Sequence, residues 1–321
     1  MTRTTSPRWR QPRASLALLA AGVLVLLTAW FRQDPRYATA PPWYWQMKTE
    51  WKGVARVVLA GDSRVYRGLD PEVFSDVLGT SCVNFGFSSV GFDDRYMNAV
   101  EEVVDSRDVS PTIVIGVTAW SLTPLAAASN GFIDAEKERA ASLLPALWLA
   151  RFDSVRHSLA PFDVELLFSN RPSSRATADN YIQTYHLNGW VESDYRTRNV
   201  SRGLEVARAD HQAGNRIDPR IVRGLAERVA RWRSRGWLVF AYAPPLPAEV
   251  ESVIAALSGF DCNEVAIELS AAGAIWLDEG KGLETYDGSH LTGESARRLS
   301  NFLAVQMQPH LNTVFASKPQ P

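Results

Sequence analysis

Ser63, His290 and Asp287 are the residues whose types and spacing suggest covalent chemistry. Ser63 follows the apolar run of residues 55–60, and Asp287 lies three residues before His290. A serine hydroxyl becomes a nucleophile when a base removes its proton, and a histidine base needs an acceptor that orients its ring. A spacing of three residues can place a carboxylate beside an imidazole within one turn. We therefore expect a catalytic triad of nucleophile Ser63, base His290 and orienting acceptor Asp287.

The runs between these motifs predict the sheet that must position them. Short apolar runs that are continuous rather than alternating are typical of parallel strands buried on both faces. They span residues 55–61, 82–87, 112–120, 237–243 and 274–278. Helical patterns lie between them, and Asp70-Pro71 and Asp218-Pro219 each begin such a pattern. Strands that alternate with helices predict an α/β fold with a doubly wound parallel sheet.

The carboxyl edge of this predicted sheet is the expected place for a site. Ligands of open parallel sheets bind beyond the carboxyl ends of the strands. Ser63 follows the first predicted strand, Gly86 lies at the end of the second and Thr118 lies near the end of the third. We expect these three residues to converge on one edge.

The N-terminal segment predicts a membrane anchor. Residues 14–31 are 18 uncharged, mostly apolar residues, and as a helix they would span about 27 Å, close to the hydrocarbon thickness of a bilayer. Four arginines precede the run, which favours a cytoplasmic N-terminus and an extracytoplasmic remainder of the chain. A cleavable signal peptide is the alternative, because residues 38–40 are small, and the protein would then be secreted. The expected location is the cell membrane, with a single span.

These patterns divide the chain into five parts and one insertion. The predicted parts are a cytoplasmic basic segment (1–13), a transmembrane anchor (14–31), a juxtamembrane linker (32–53), the α/β domain (54–308) with an insertion at about 121–217, and a C-terminal tail (309–321). The insertion collects aromatic residues, namely Tyr181, Tyr185, His186, Trp190 and Tyr195. They could stack on sugar rings or form the insertion's own core.

Composition excludes several classes of function. A formal net charge of −1 over 321 residues gives no attraction to polyanions, so we expect no nucleic-acid partner. Two cysteines, Cys82 and Cys262, are too few for a zinc cluster or a disulfide scaffold. We expect neither a metal nor a cofactor.

Taken together, these motifs resemble those of the SGNH or GDSL-like hydrolases. The first block of that family, Gly-Asp-Ser, is matched by residues 61–63, its second by Gly86, and its last, Asp-x-x-His, by Asp287 and His290. The resemblance covers residues 54–308 and implies a three-layer α/β/α fold of flavodoxin-like type, preceded here by the transmembrane helix. It also implies that the backbone amides of Ser63 and Gly86 bind the oxyanion of the reaction.

The third block departs from the family pattern. The family has Gly-x-Asn-Asp there, whereas this chain has Gly-Val-Thr-Ala at residues 116–119. Thr118 thus stands where the asparagine oxyanion donor is expected. Since loss of one oxyanion donor costs about 2.7 to 4 kcal/mol of transition-state stabilisation, either Thr118 substitutes, another group does, or activity is low.

Three functions follow from these residues and from the resemblance. The first is a serine esterase. The second is an O-acyltransferase on cell-envelope glycans, similar to alginate O-acetylating proteins and the D-alanine-transfer protein of teichoic acids, with a multi-pass membrane acyltransferase as partner. The third is a catalytically inactive envelope protein that binds a glycan or such a partner, in which Ser63 occupies a plain turn and Asp287 and His290 tie down a loop.

Overall fold

The structure of the protein is a computed structural model that describes residues 22–23, 42–107, 110–138, 181–195, 199 and 201–316. The chain divides into two compact units, one formed by residues 1–35 and 144–174 and the other by residues 36–143 and 175–321. Of the first unit, only residues 22–23 are described, and they are helical. All elements below belong to the second unit.

Seven strands are present in the described residues. They are β1 (Val57–Ala60), β2 (Cys82–Asn84), β3 (Thr112–Gly116), β4 (Tyr181–Tyr185), β5 (Val191–Tyr195), β6 (Leu238–Tyr242) and β7 (Ile275–Trp276). Five of them form one sheet in the order β2-β1-β3-β6-β7, and every neighbouring pair is parallel. The predicted α/β class with a central parallel sheet is confirmed. Strands β4 and β5 form a separate antiparallel hairpin within the predicted insertion.

The part of the chain that the structure describes also contains ten α-helices and a helical stretch over residues 131–138. They are α1 (Pro42–Thr49), α2 (Ser63–Gly68), α3 (Pro71–Leu78), α4 (Asp94–Val103), α5 (Pro124–Ala128), α6 (Ser201–Asp210), α7 (Pro219–Ser234), α8 (Ala248–Ser258), α9 (Cys262–Ala271) and α10 (Gly293–Ala316). The predicted helix starts at Asp70 and Asp218 are confirmed, because each carboxylate accepts a hydrogen bond from a first-turn amide of its helix.

Successive residues of the strands point into two separate cores. Val58 and Ala60 of β1 join the core formed with α4, α7 and α9. Val57 and Leu59 of the same strand join the core formed with α3 and α10. This alternation buries the sheet on both faces, as the continuous apolar runs predict.

The folded domain extends beyond both of its predicted boundaries, residues 54 and 308. Helix α1 lies inside the predicted linker, yet Tyr44 and Lys48 on it are fully buried in the domain. Helix α10 continues to residue 316, past the predicted boundary at 308, and buries Leu311 beyond that boundary. Residues 42–53 and 309–316 are therefore part of the folded unit.

No helix among the described residues is long and apolar enough to cross a membrane. Apart from residues 22–23, the predicted anchor at 14–31 lies outside the described residues. The alternative cleavage site at 38–40 also lies outside them. The anchor and the signal peptide both stay predictions.

Candidate active site

The structure brings Ser63, His290 and Asp287 together at the carboxyl edge of the sheet. Ser63 is the first residue of α2, directly beyond β1, and its Oγ lies 2.9 Å from Nε2 of His290. Nδ1 of His290 lies 2.8 Å from Oδ2 of Asp287. A carboxylate only accepts hydrogen bonds, so Nδ1 carries the proton and Nε2 is free to accept the serine hydrogen. This is the arrangement that general-base activation of a serine requires.

The loop before α10 holds the acidic and basic members of this triad. Oδ1 of Asp287 accepts the backbone amides of Ser289 at 2.9 Å and His290 at 2.8 Å. The ring of Tyr286 stacks on the His290 ring at 5.9 Å between centroids. Thr292 then accepts the amide of the third residue after it, as a helix cap does. Local hydrogen bonds therefore determine the orientation of the base.

The electrostatics of the pair keep Asp287 charged and His290 neutral. Burial alone would raise the pKa of Asp287, but hydrogen bonds and charge from His290 and the two backbone amides lower it to about 2. The pKa of His290 is lowered, chiefly by burial and then by the charge of Arg67, against the opposing effect of Asp287. A neutral imidazole is the form that can accept a proton.

The turn that carries Ser63 requires a glycine before it. Gly61 has a φ of +149°, and a Cβ there would lie 2.4 Å from Cγ2 of Val65 and 2.8 Å from the carbonyl oxygen of Gly116. Oδ1 of Asp62 accepts the amide of Arg64 at 2.9 Å and so caps α2. The Gly-Asp-Ser tripeptide thus makes a tight, capped turn that starts the helix at the nucleophile.

The Thr118 hydroxyl does not face the nucleophile. Its Oγ1 donates to Oδ2 of Asp62 at 2.6 Å and accepts from Ser121, whose hydroxyl lies 2.9 Å and whose amide lies 3.1 Å away. The side chain is buried. A hydroxyl has a single hydrogen, and this one is used by the Asp62 carboxylate. In contrast to the first of the three alternatives, that Thr118 replaces the missing asparagine, its side chain is placed to support the turn that carries Ser63 and has no hydrogen left for an oxyanion.

The Gly86 amide is also engaged, again in contrast to the prediction. It donates to Oδ1 of Asn84 at 3.0 Å. A Cβ on Gly86 would lie 2.9 Å from the amide nitrogen of Tyr66 in α2. Nδ2 of Asn84 donates to the carbonyls of Val65 and Leu69 at 2.9 Å each. Residue 86 is therefore a glycine because the β2 loop packs directly against the helix of the nucleophile.

Lys48 is a buried residue of this region that the sequence reasoning missed. Its Nζ donates to the carbonyl of Gly86 at 2.5 Å and to that of Gly189 at 3.3 Å. Four aromatic rings surround the ammonium group within 6 Å, from Tyr44, Trp45, Tyr66 and Phe87. Burial lowers the pKa of Lys48. The aromatic run at residues 43–45 was the available signal, because aromatic rings can surround a buried ammonium group.

Two arginines of α2 flank the triad and were also missed. Arg67 donates to the hydroxyl of Tyr66 at 3.2 Å and to that of Tyr286 at 2.5 Å. Nε of Arg64 donates to the hydroxyl of Ser289 at 3.2 Å. The position of Arg67 four residues after Ser63 was the signal for that residue, because residues one helical turn apart share a face. For Arg64 the signal was its place directly after Ser63 in the sequence.

The insertion's aromatic residues pack against the domain. Tyr185 and Trp190 are buried, and Tyr185 stacks edge-on against Tyr44 at 5.0 Å. Gly189, with a φ of +94°, brings the hairpin turn so close to β2 that a Cβ would lie 1.9 Å from the carbonyl oxygen of Asn84. Tyr185 and Trp190 are therefore core residues shared with the domain. The side chains of Tyr181 and Tyr195 lie outside the described residues.

Neither cysteine forms a disulfide: Cys82 is a buried thiol of β2 and Cys262 is a partly buried thiol at the start of α9. Within the described ranges, no group of three or more His, Cys, Asp or Glu side chains could hold a metal ion.

A scan against protein-family models gives no match, and searches of the curated proteins and of the solved structures likewise give none. The residues and their geometry are therefore the basis for any inference about function.

Proposed function

We propose that the protein is an SGNH or GDSL-like serine esterase or O-acyltransferase that acts through an acyl-enzyme. The observation that carries this proposal is the continuous hydrogen-bond chain from Ser63 through His290 to Asp287, with distances of 2.9 and 2.8 Å. Further support comes from the sheet order, which matches the flavodoxin-like order 2-1-3-4-5 when the five sheet strands are numbered in sequence.

The reaction uses these groups in a fixed sequence. Ser63 Oγ bonds to the carbonyl carbon while its proton passes to Nε2 of His290, and the carbonyl electron pair moves onto oxygen. The pair returns as the bond to the leaving oxygen breaks, and that oxygen takes the proton from His290. Water or a sugar hydroxyl then attacks the acyl-enzyme, with His290 again as base. Asp287 stays ionised and stabilises the imidazolium in both halves.

The compartment and the acceptor are part of the same proposal. The apolar run at 14–31 supports a single-pass anchor with the domain outside the cytoplasm. In that location the substrates are acyl esters of cell-envelope glycans, and a multi-pass membrane acyltransferase is the source of acyl groups in the transferase version. Fractionation of cells that express the full chain, with protease access from outside, tests the anchor and its orientation.

One experiment tests for an activated nucleophile without a choice of substrate. The full chain is treated with a fluorophosphonate, and the adduct is located by mass spectrometry. Labelling of Ser63 that disappears in His290→Ala supports the proposal, whereas a folded protein without labelling contradicts it. Incubation with an acetylated glycan then separates the two versions, because an esterase releases free acetate and a transferase produces a newly acylated sugar.

A second candidate is a catalytically inactive envelope protein that binds a glycan or a membrane acyltransferase. The observation that favours it is the engagement of the Thr118 hydroxyl and the Gly86 amide inside the protein. It predicts that Ser63→Ala leaves the cellular function intact, whereas the enzyme proposal predicts its loss.

A further inference from the structure

The oxyanion side of the site lacks the second donor expected for an acyl-transfer centre. Thr118 donates to Asp62, and the Gly86 amide donates to Asn84. The developing negative charge on the substrate oxygen nevertheless needs donors or a positive charge near it. If the triad is active, another group must supply this stabilisation.

Arg64 is next to the nucleophile and has unused donors. An arginine carries five N–H groups, and in the described part of the chain the side-chain hydrogen bond of Arg64 is the one from Nε to Ser289. No carboxylate of the described residues forms an ion pair with it. Arg64 is half-buried, so its guanidinium is a partly desolvated cation that forms no direct ion pair with the described residues.

The Arg64 side chain contacts the base loop and lines a cavity with the loop that follows β3. Ser289, its hydrogen-bond partner, precedes His290 in the base loop. The side chain also lines a small cavity of about 30 Å³ with residues 117–119, the segment that holds the third block. Arg64 therefore lies between the base loop and the loop where the missing asparagine donor was expected.

The positive charge of Arg64 affects three titratable groups around it. The pKa values of His290 and His211 are lowered chiefly by burial, and the charge of Arg64 lowers both further. Burial raises the pKa of Asp210, and the charge of Arg64 acts in the opposite direction there. Arg67 also lowers the pKa of His290. Arg67 differs because its guanidinium donates to the hydroxyls of two tyrosines.

From this geometry we propose that Arg64 is a catalytic residue whose guanidinium stabilises the oxyanion of the acyl-transfer transition state. The inference rests on the proposed function. When Ser63 Oγ attacks, the electron pair that leaves the carbonyl double bond collects on oxygen, and an Nη–H of Arg64 donates to that oxygen. The pair returns to carbon as the leaving group departs, so Arg64 neither gains nor loses a proton.

Inactivation kinetics with a fluorophosphonate, measured on the full chain from pH 5 to 9, test this role. The probe is uncharged, so a loss cannot come from a lost ion pair in the ground state. Arg64→Gln is expected to lower the high-pH plateau of the maximal rate by about 10²-fold with little change in the half-saturating concentration. Arg64→Met, which keeps much of the apolar stem, is the second variant with the same expectation, and thermal unfolding verifies that each variant is folded.

Arg67→Gln is the matched control. Both arginine variants remove a positive charge near His290, so both are expected to move the pH midpoint upward, but the plateau is expected to fall much less in Arg67→Gln than in the Arg64 variants. An Arg64 variant with the wild-type plateau and only a shifted midpoint overturns the proposal, because Arg64 would then act on the base alone. A change only in the half-saturating concentration of the probe overturns it as well, because Arg64 would then contribute to binding alone. If the wild-type chain is not labelled at Ser63, the proposed function itself fails, which is a distinct result.

Discussion

The base loop and the oxyanion loops of the site differ in how their geometry arises. In the base loop, residues 286–292, the key hydrogen bonds of Asp287 are to groups two and three residues away. In the oxyanion loops, after β2 and β3, local and distant hydrogen bonds are mixed: the Gly86 amide donates to Asn84, two residues away, whereas the Thr118 hydroxyl donates to Asp62, 56 residues away. The base loop, whose bonds come from neighbouring residues, keeps its predicted geometry. The Thr118 hydroxyl finds an acceptor in another segment, and its role could not be read from its own loop.

The distant partners of the oxyanion loops support the nucleophile. Asp62 caps α2 and accepts the Thr118 hydroxyl, while Asn84 and Gly86 pack against the same helix. The ammonium group of Lys48 donates a hydrogen bond to the Gly86 carbonyl. These loops therefore position Ser63.

Removal of the nucleophile or base is expected to have the largest effect. Ser63→Ala and His290→Ala should each lower ester turnover by about 10⁶-fold, since neither group has a substitute in the triad. Steady-state hydrolysis of an activated acetyl ester measures this loss. Measurable turnover by folded Ser63→Ala would show that the site does not use this serine.

Asp287→Asn is expected to lower turnover by about 10⁴-fold, because an amide nitrogen facing Nδ1 favours the wrong tautomer of His290. The amide oxygen can still accept the two loop amides, so stability should change less than activity. Asp210→Asn is the matched control, since it removes a carboxylate whose charge interacts with His211 and Arg64 and which has no hydrogen bond to His290. Equal losses in both variants would indicate that net charge is what matters.

Gly86→Ala is expected to destabilise the protein by about 1–3 kcal/mol, because its Cβ would lie 2.9 Å from the Tyr66 amide. Gly224→Ala in α7 is the control, since nothing lies within 4 Å of a Cβ there, and alanine is the better helix former by about 1 kcal/mol. Urea unfolding measures both changes. A neutral Gly86→Ala variant would contradict the close approach of the β2 loop to α2.

Thr118→Val is expected to cost about 1–3 kcal/mol of stability, because the buried Asp62 carboxylate loses a donor. Thr118→Ser, which keeps the hydroxyl, should restore most of that loss. If Thr118 were instead an oxyanion donor, Thr118→Val would lower the acylation rate by about 10²–10³-fold. Urea unfolding and fluorophosphonate inactivation rates, measured side by side, distinguish these two roles.

The smallest expected effect is a shift in the pH at which acylation is half-maximal. Only neutral His290 can accept the Ser63 proton, so the rate falls as the pH drops through the pKa of His290. That pKa is lowered by burial, Arg67 and Arg64, against Asp287, so half-maximal activity should lie below pH 6.5. With a pKa of about 2, Asp287 adds no limb in this range. A midpoint above 6.5 would contradict the described environment.

Prediction from sequence succeeded where the signal was periodic or local. Continuous apolar runs predicted the parallel sheet, and the caps at Asp70 and Asp218 predicted two helix starts. The domain boundaries were predicted less well, because the burial of Tyr44 and Leu311 depends on segments that are far away in the sequence. The aromatic residues of the insertion were ambiguous for the same reason, and Trp190 proved to be core.

By itself, the sequence determined the class of the fold and the pairing of Asp287 with His290, since hydrophobic periodicity and a three-residue spacing are local properties. Only the tertiary structure decided that Ser63 meets His290, 227 residues apart. It also decided that Thr118 and Gly86 lie against the turn and helix that carry Ser63, and that Arg64 keeps side-chain donors that bind no other described residue. The physical reason is that each N–H or O–H hydrogen has one main acceptor, and which acceptor is nearest depends on how the whole chain packs.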